Sequence, residues 1–217
     1  MNKILFLLIT LTLNNSLAQQ KADNVPFTNF VYGIYGGINF NNTSEIGGDF
    51  QIDIKTNINS NLYISLSAGY YKSIMQDSRT IKTYLKATID TVVYFQAIQY
   101  DVNNITYDVF PVSLGLQYFI KNESLSPYLF SNFSYNFIDA KIIRSAEMIW
   151  SFNSFDELPD EFKTKNIEEL PDNSFGISAG VGIIYKISKN LSFDFRYYYK
   201  YDDNIINTHH LIVGINF

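Results

Sequence analysis

From Phe30 onwards, apolar and polar residues alternate with a period of two in runs of about eleven residues, and polar, turn-forming stretches separate the runs. Eight strands are predicted, over residues 30–40, 46–56, 62–72, 107–120, 126–140, 173–187, 191–201 and 207–217. In the third, Leu62, Ile64, Leu66, Ala68 and Tyr70 share one face, with Tyr63, Ser65, Ser67, Gly69 and Tyr71 opposite. In the sixth, Phe175, Ile177, Ala179, Val181, Ile183 and Tyr185 oppose Ser174, Gly176, Ser178, Gly180 and Gly182. One face is therefore continuously apolar and the other small and polar. A soluble ligand-carrying barrel would place the apolar set inside and charges outside; a two-sheet sandwich with one wet face is the competing reading.

The connections alternate in length. Residues 57–61, 121–125 and 188–190 form tight turns, 41–45 and 202–206 are intermediate, and 73–106 and 141–172 are long. If the first strand leaves the periplasm, every tight turn is periplasmic and both long loops lie outside. Short periplasmic turns, longer outer loops, an even strand number and short alternating segments are the signature of a transmembrane β-barrel. Each strand is long enough to cross a bilayer at a tilt, and closure satisfies every backbone group within lipid. The expected fold is an all-β, eight-stranded antiparallel transmembrane barrel, an up-and-down meander. Tyr70, Tyr118, Tyr185, Tyr199 and Tyr201 stand at strand ends, where interfacial girdles form. Leu211, Val213, Ile215 and Phe217 alternate to a terminal Phe, an ending that looks like the signal read by barrel-assembly machinery.

Composition narrows the function classes. Aromatic residues make up 17% of the 217 residues, and charged residues also 17%, against roughly 25% charged in an average soluble domain. A net charge of −5 removes nucleic acid as a default partner, and the lack of Cys removes disulfides, thiolate metal sites, thiol nucleophiles and lipid attachment through Cys. The first residues read as an export signal: Lys3, an apolar run over residues 4–13, then Ser16 and Ala18 placed for cleavage before Gln19. That run is too short to span a bilayer. The expected organisation is a cleaved signal at 1–18, a periplasmic segment at 19–29 and a barrel at 30–217. The expected setting is the outer membrane of a Gram-negative-type bacterium, as a monomer among lipid and lipopolysaccharide.

Several segments resemble a known family. Tyr107 to Phe119 carries Pro111 followed by alternating apolar residues, Ser126-Pro127-Tyr128-Leu129 has the Pro-Tyr start of the next strand, and Gly176 to Tyr185 is Gly-rich. Asp194, Arg196 and Tyr197 form an acidic-x-Arg-Tyr pattern. Together they resemble the PorT-like outer-membrane β-barrel family, small eight-stranded barrels with the layout of OmpA and OmpX. The resemblance covers nearly all the mature chain and implies fold far more than function. The family includes a component linked to protein secretion, and a secretion-related partner is one implied possibility.

On the polar face, charges gather on two strands: Asp49, Asp53 and Lys55 on the second, with the neutral Gln51 among them, and Asp194, Arg196 and Lys200 on the seventh. Levelling the two predicts a ladder of Lys55 with Asp194, Asp53 with Arg196 and Asp49 with Lys200. Such pairs would plug a lumen just wide enough for side chains, or, in the alternative reading, form an ion path or gate. An enzyme needs a nucleophile beside an oriented base. His209 and His210 are the only histidines and, being adjacent, point to opposite faces; they are read as rim residues. No catalytic, cofactor or metal residues are assigned.

Residues 73–106 hold Thr88, Ile89, Val92, Val93, Tyr94 and Phe95, and are expected to prolong the strands as a protruding hairpin. Such an edge could accept a partner's strand. Residues 141–172 carry Trp150, a candidate loop contact, and the acidic group Asp156, Glu157, Asp160, Glu161, Glu168, Glu169 and Asp172. A divalent cation bridging that group to lipopolysaccharide phosphate competes with a solvated charge run. The expected function is structural or a surface interaction through the outer loops, with a narrow porin-like channel second and a lipid-modifying enzyme third.

Overall fold

A computed structural model describes residues 30–42, 45–89, 92–121, 123–163, 170–188 and 190–217. The expected signal, the 19–29 segment, Glu168 and Glu169 lie outside these residues. Eight strands follow one another: β1 (Phe30–Phe40), β2 (Ile46–Asn57), β3 (Leu62–Ile89), β4 (Val92–Phe119), β5 (Leu125–Phe152), β6 (Asn173–Ser188), β7 (Leu191–Asp202) and β8 (Thr208–Asn216). One helical turn, α1 (Asp160–Lys163), lies between β5 and β6. Each strand pairs antiparallel with the next, and β8 pairs with β1 to close the barrel. Phe217 completes the seam: its N–H and C=O exchange hydrogen bonds with Tyr32, both at 2.9 Å, and the two rings stack.

The pleat sorts the side chains as their alternation requires. One residue from each strand shows the outer face: Ile34, Ile52, Leu66, Val112, Leu129, Ile177, Phe195 and Val213 are each 43–56% exposed. A belt of this kind running round the whole molecule suits lipid and not water. Tyr118, Tyr185, Tyr199 and Tyr201 are exposed at its borders.

Three strands differ in length from the rest. β3, β4 and β5 each run for 28 residues. Pairing of β2 with β3 ends at Asp49↔Tyr71, and pairing of β5 with β6 ends at Phe137↔Asn173. Beyond those points β3, β4 and β5 continue as a three-stranded sheet, which extends by roughly 50 Å at the rise of an antiparallel strand. The expected hairpin of 73–106 is its first two strands. The loop expected over 141–172 needs correction, because β5 runs on to Phe152, paired as far as Phe95↔Phe152. Its alternation is hidden in sequence by a bulge: Val102 faces Arg144 and Asp101 faces Ala146, leaving Ser145 as the extra residue.

Both faces of the sheet have something to bury. Ile81, Ile98, Tyr100, Val102, Ile105, Tyr107 and Val109 form one apolar cluster with Tyr71 and Ile138, with Leu170 and Ile205 packed against it. On the other face Leu158 and Phe162 close over Ala97, flanked by Tyr84, Phe95 and Phe152.

Candidate functional site: the charged lumen

The inward positions of β2, β7 and β8 carry most of the lumen's charge, because alternate residues on these strands face the bore. In the layer nearer the end with the short turns, Arg196 is the hub. Its Nη1 lies 2.7 Å from Asp53 Oδ2 and its Nη2 2.9 Å from Asp194 Oδ2, with all three side chains at most 2% exposed. Lys55 Nζ approaches Asp194 Oδ2 at 3.4 Å. The contact with Asp53 is an ion pair and not an aligned hydrogen bond, and the other carboxylate oxygen accepts from Gln51 Nε2 at 2.6 Å.

Tyrosines complete this layer. Tyr128 donates to Asp194 Oδ1 at 2.6 Å, and the Tyr35 hydroxyl lies 2.6 Å from Asn216 Oδ1 and 3.0 Å from Asp194 Oδ2. That hydroxyl also accepts from Lys55 Nζ at 3.3 Å and from Arg196 Nη2. The Arg196 guanidinium lies 3.9 Å from the centre of the Tyr35 ring, so one aromatic residue supplies both a polar tip and a face for the cation. Room for two of these rings comes from glycine: a Cβ at Gly182 would strike the Tyr128 ring, and one at Gly214 the Tyr35 ring.

A second layer lies towards the outside. His210 Nδ1 donates to Asp49 Oδ2 at 2.5 Å, since a carboxylate only accepts. Its Nε2 is 2.8 Å from Thr208 Oγ1, and its ring stacks on Tyr198 with centroids 4.4 Å apart. Lys200 donates to Asn136 Oδ1 at 2.8 Å and stands 3.9 Å from Asp202 Oδ1. Asp202 also accepts from Tyr71 at 3.1 Å and from Asn136 Nδ2.

The structure thus brings Lys55 to Asp194 and Asp53 to Arg196, but does not join Asp49 to Lys200. The shear of the barrel sets His210 opposite Asp49, while Lys200 finds Asp202 two residues along its own strand. Asp49 and Lys200 still border one cavity of about 20 Å³, together with Ser67, Ser113, Ser178 and Tyr198. His210 is a fully buried lumen residue and not a rim one, whereas its neighbour His209 faces outwards between Tyr197 and Phe40. Four carboxylates (Asp49, Asp53, Asp194, Asp202) are met by Lys55, Arg196, Lys200 and the His210 donor. Sequence reading missed Asp202, His210, Tyr35, Tyr71, Tyr128, Tyr198, Asn136 and Asn216. Strand parity alone finds all of them but Asp202, which lies one residue beyond the predicted end of the seventh strand.

Thr208, His210 and Asp49 have the spacing of a nucleophile, a base and an orienting acid. Thr208 and His210 are both fully buried, however, and the cavity beside Asp49 is lined by Tyr198 and Lys200 and by neither of them. The chain of bonds satisfies polar groups that are wholly buried.

Outside the membrane, Trp150 packs edge-on against Phe162 with centroids 5.7 Å apart. The acidic residues of the outer loop are dispersed among separate donors. Glu161 pairs with Lys82 and Asp160 with Lys163, both at 2.8 Å, and Glu157 accepts from the Asn153 N–H at 3.1 Å. Lys163 holds the Asp160 carboxyl below its ordinary range. Among the described residues no group of three acidic or histidine side chains is arranged to hold a metal ion.

Residues 6–217 match the model of the outer membrane protein beta-barrel domain family. Among solved structures, the chain is similar to neisserial surface protein A of Neisseria, at 14% identity over 86% of this chain and 94% of that one, with a TM-score of 0.49. It is also similar to the N-terminal β-barrel domain of Pseudomonas aeruginosa OprF, at 14% identity over 89% and 100%, with a TM-score of 0.46. Ail, the attachment invasion locus protein of Yersinia pestis, shares 12% identity over 87% and 96%, with a TM-score of 0.44. Among curated proteins, none matches the chain in sequence.

Proposed function

Because the chain belongs to the outer membrane protein β-barrel domain family, we propose that it works at the cell surface, through the sheet and loops that stand outside the barrel. The barrel itself is then an anchor whose lumen is a filled polar core. One observation carries this reading: the bore is occupied by Arg196 and its partners at one level and by the His210 and Lys200 groups at the next, while the three longest strands all project outwards. Buried ions persist only when paired and hydrogen-bonded, and a core so satisfied resists rearrangement into a path.

Within the family, Pro111, the Pro127-Tyr128 start of β5 and the Asp194, Arg196 and Tyr197 pattern favour a place among PorT-like barrels. The proposal includes export by the signal at residues 1–18, assembly through the strand ending in Phe217, and a surround of lipid and lipopolysaccharide. It assigns no catalytic chemistry.

A narrow channel is the second reading. It is favoured by the cavity of about 20 Å³ beside Asp49 and by a pocket of about 150 Å³ at the periplasmic mouth, bordered by Lys55, Tyr63, Phe119 and Asn216. Tyr35, Tyr128 and Arg196 stand between the two.

The test is a trimmed barrel in which residues 73–106 and 141–172 are replaced by short turns. Cells displaying the full chain should be retained on protein- or glycan-coated surfaces, and cells displaying the trimmed barrel should not, with both proteins folded in the membrane. Equal retention of the two overturns the reading.

A further inference from the structure

The outer half of β5 is a strand edge with an unusual pattern. Past Phe137 it has no β6 partner, and among the described residues one backbone bond, from the Ile138 N–H to Asp172 O, reaches that edge. Asp139, Lys141, Ile143, Arg144, Glu147, Met148, Ile149 and Trp150 are exposed along it. Such edges are usually blunted; on this one four exposed apolar residues share the edge with four charged ones, and Arg144 and Glu147 stand symmetrically about Ala146.

The bulge at Ser145 creates the symmetry. In a regular strand Arg144 and Glu147, three residues apart, would lie on opposite faces. Here Arg144 faces Val102 and Glu147 faces Tyr100, two positions apart on β4, so the extra residue puts both on one face. The Arg144 guanidinium accordingly lies 4.0 Å from the centre of the Tyr100 ring.

We propose that this edge pairs antiparallel with the same edge of a second copy, about a two-fold axis at Ala146. Arg144 of each copy then opposes Glu147 of the other, and the same face brings Ile142 against Ile149. On the opposite face Ile143 meets Met148, and Lys141 meets Trp150, a cation against an aromatic ring. Each of these four pairs is attractive or apolar, as an isologous contact requires. A parallel, in-register pairing would instead set Arg144 against Arg144 and Glu147 against Glu147.

Direction then fixes the setting. β5 climbs from a periplasmic turn to the outside, so two copies upright in one membrane present this strand in the same direction. Antiparallel pairing joins copies on facing membranes, making a contact between cells or vesicles. This inference rests on the proposed surface function and names its partner as a second copy of the chain.

The full barrel is reconstituted into lipid nanodiscs holding one copy each, and association between discs is followed by sedimentation. Wild-type discs should pair. Arg144→Glu discs and Glu147→Arg discs should each self-associate about tenfold more weakly, since two opposite-charge pairs become like-charge pairs. Mixing the two variants should restore pairing to the wild-type level, because all four facing residues are again of opposite sign. This rescue separates the proposal from a folding defect. Single wild-type discs at all concentrations, or a mixture no better than either variant alone, overturns it. If wild-type discs stay single while cells keep their loop-dependent retention on coated surfaces, self-pairing fails and the surface reading stands; loss of both overturns both.

Discussion

Arg196 of β7 reaches across the bore to Asp53 of β2, with 2.7 Å between Nη1 and Oδ2 and both side chains buried. The two strands are not neighbours, since β8 and β1 separate them in the sheet. The pair therefore braces the barrel across its lumen, and the same guanidinium holds Asp194 at 2.9 Å. Arg196→Met should strand the buried Asp53 carboxylate, leave Asp194 with Lys55 alone, and destabilise the barrel by about 3–5 kcal/mol. Urea unfolding in lipid vesicles, read by the gel mobility of unboiled samples, measures this. Adding Asp53→Asn should recover most of the loss, because Lys55 still balances Asp194, and an Arg196→Met barrel as stable as wild type would contradict the brace.

Gly182 leaves space for the Tyr128 ring, whose hydroxyl bonds to Asp194 at 2.6 Å. Gly182→Ala should cost about 1–3 kcal/mol by overpacking. In a double-mutant cycle with Tyr128→Leu the two changes should be strongly non-additive, because the ring that meets the new methyl has gone. Additive losses would place the strain elsewhere.

The outer sheet should loosen independently of the barrel. Leu158 and Phe162 cover Ala97, and Phe162 also touches Trp150, the only tryptophan in the chain. Leu158→Ala and Phe162→Ala should each remove about 2–4 kcal/mol of local packing, shift Trp150 emission to the red and speed proteolysis within residues 153–172. The unfolding midpoint of the barrel should stay put. A matching fall in that midpoint would show that sheet and barrel melt as one unit.

Most of this fold is legible in the sequence because lipid and lumen impose a strict period of two. Residues such as Ile52 beside Asp53, or Phe195 beside Arg196, declare their faces at once. Legibility fails where that period is interrupted or a residue's level is set by shear. The Ser145 bulge shifts the parity of β5, so that Met148, Ile149 and Trp150 read as a loop although they belong to a paired strand. The partner of Asp49 depends on how far β8 is displaced against β2, which no local pattern records; the structure assigns His210 at 2.5 Å in place of Lys200. Asp202 was missed for a simpler reason, since it ends β7 where the polar turn begins.

The filled lumen is the claim on which the surface function depends, and single-channel recording of the refolded wild-type protein in a planar bilayer tests it most directly. With Tyr35, Tyr128 and Arg196 closing the bore above the pocket at the short-turn end, folded protein should give no discrete conductance steps. Resolved steps whose size changes on neutralising Asp53 or Arg196 would contradict the plug and make the lumen the working part of the molecule.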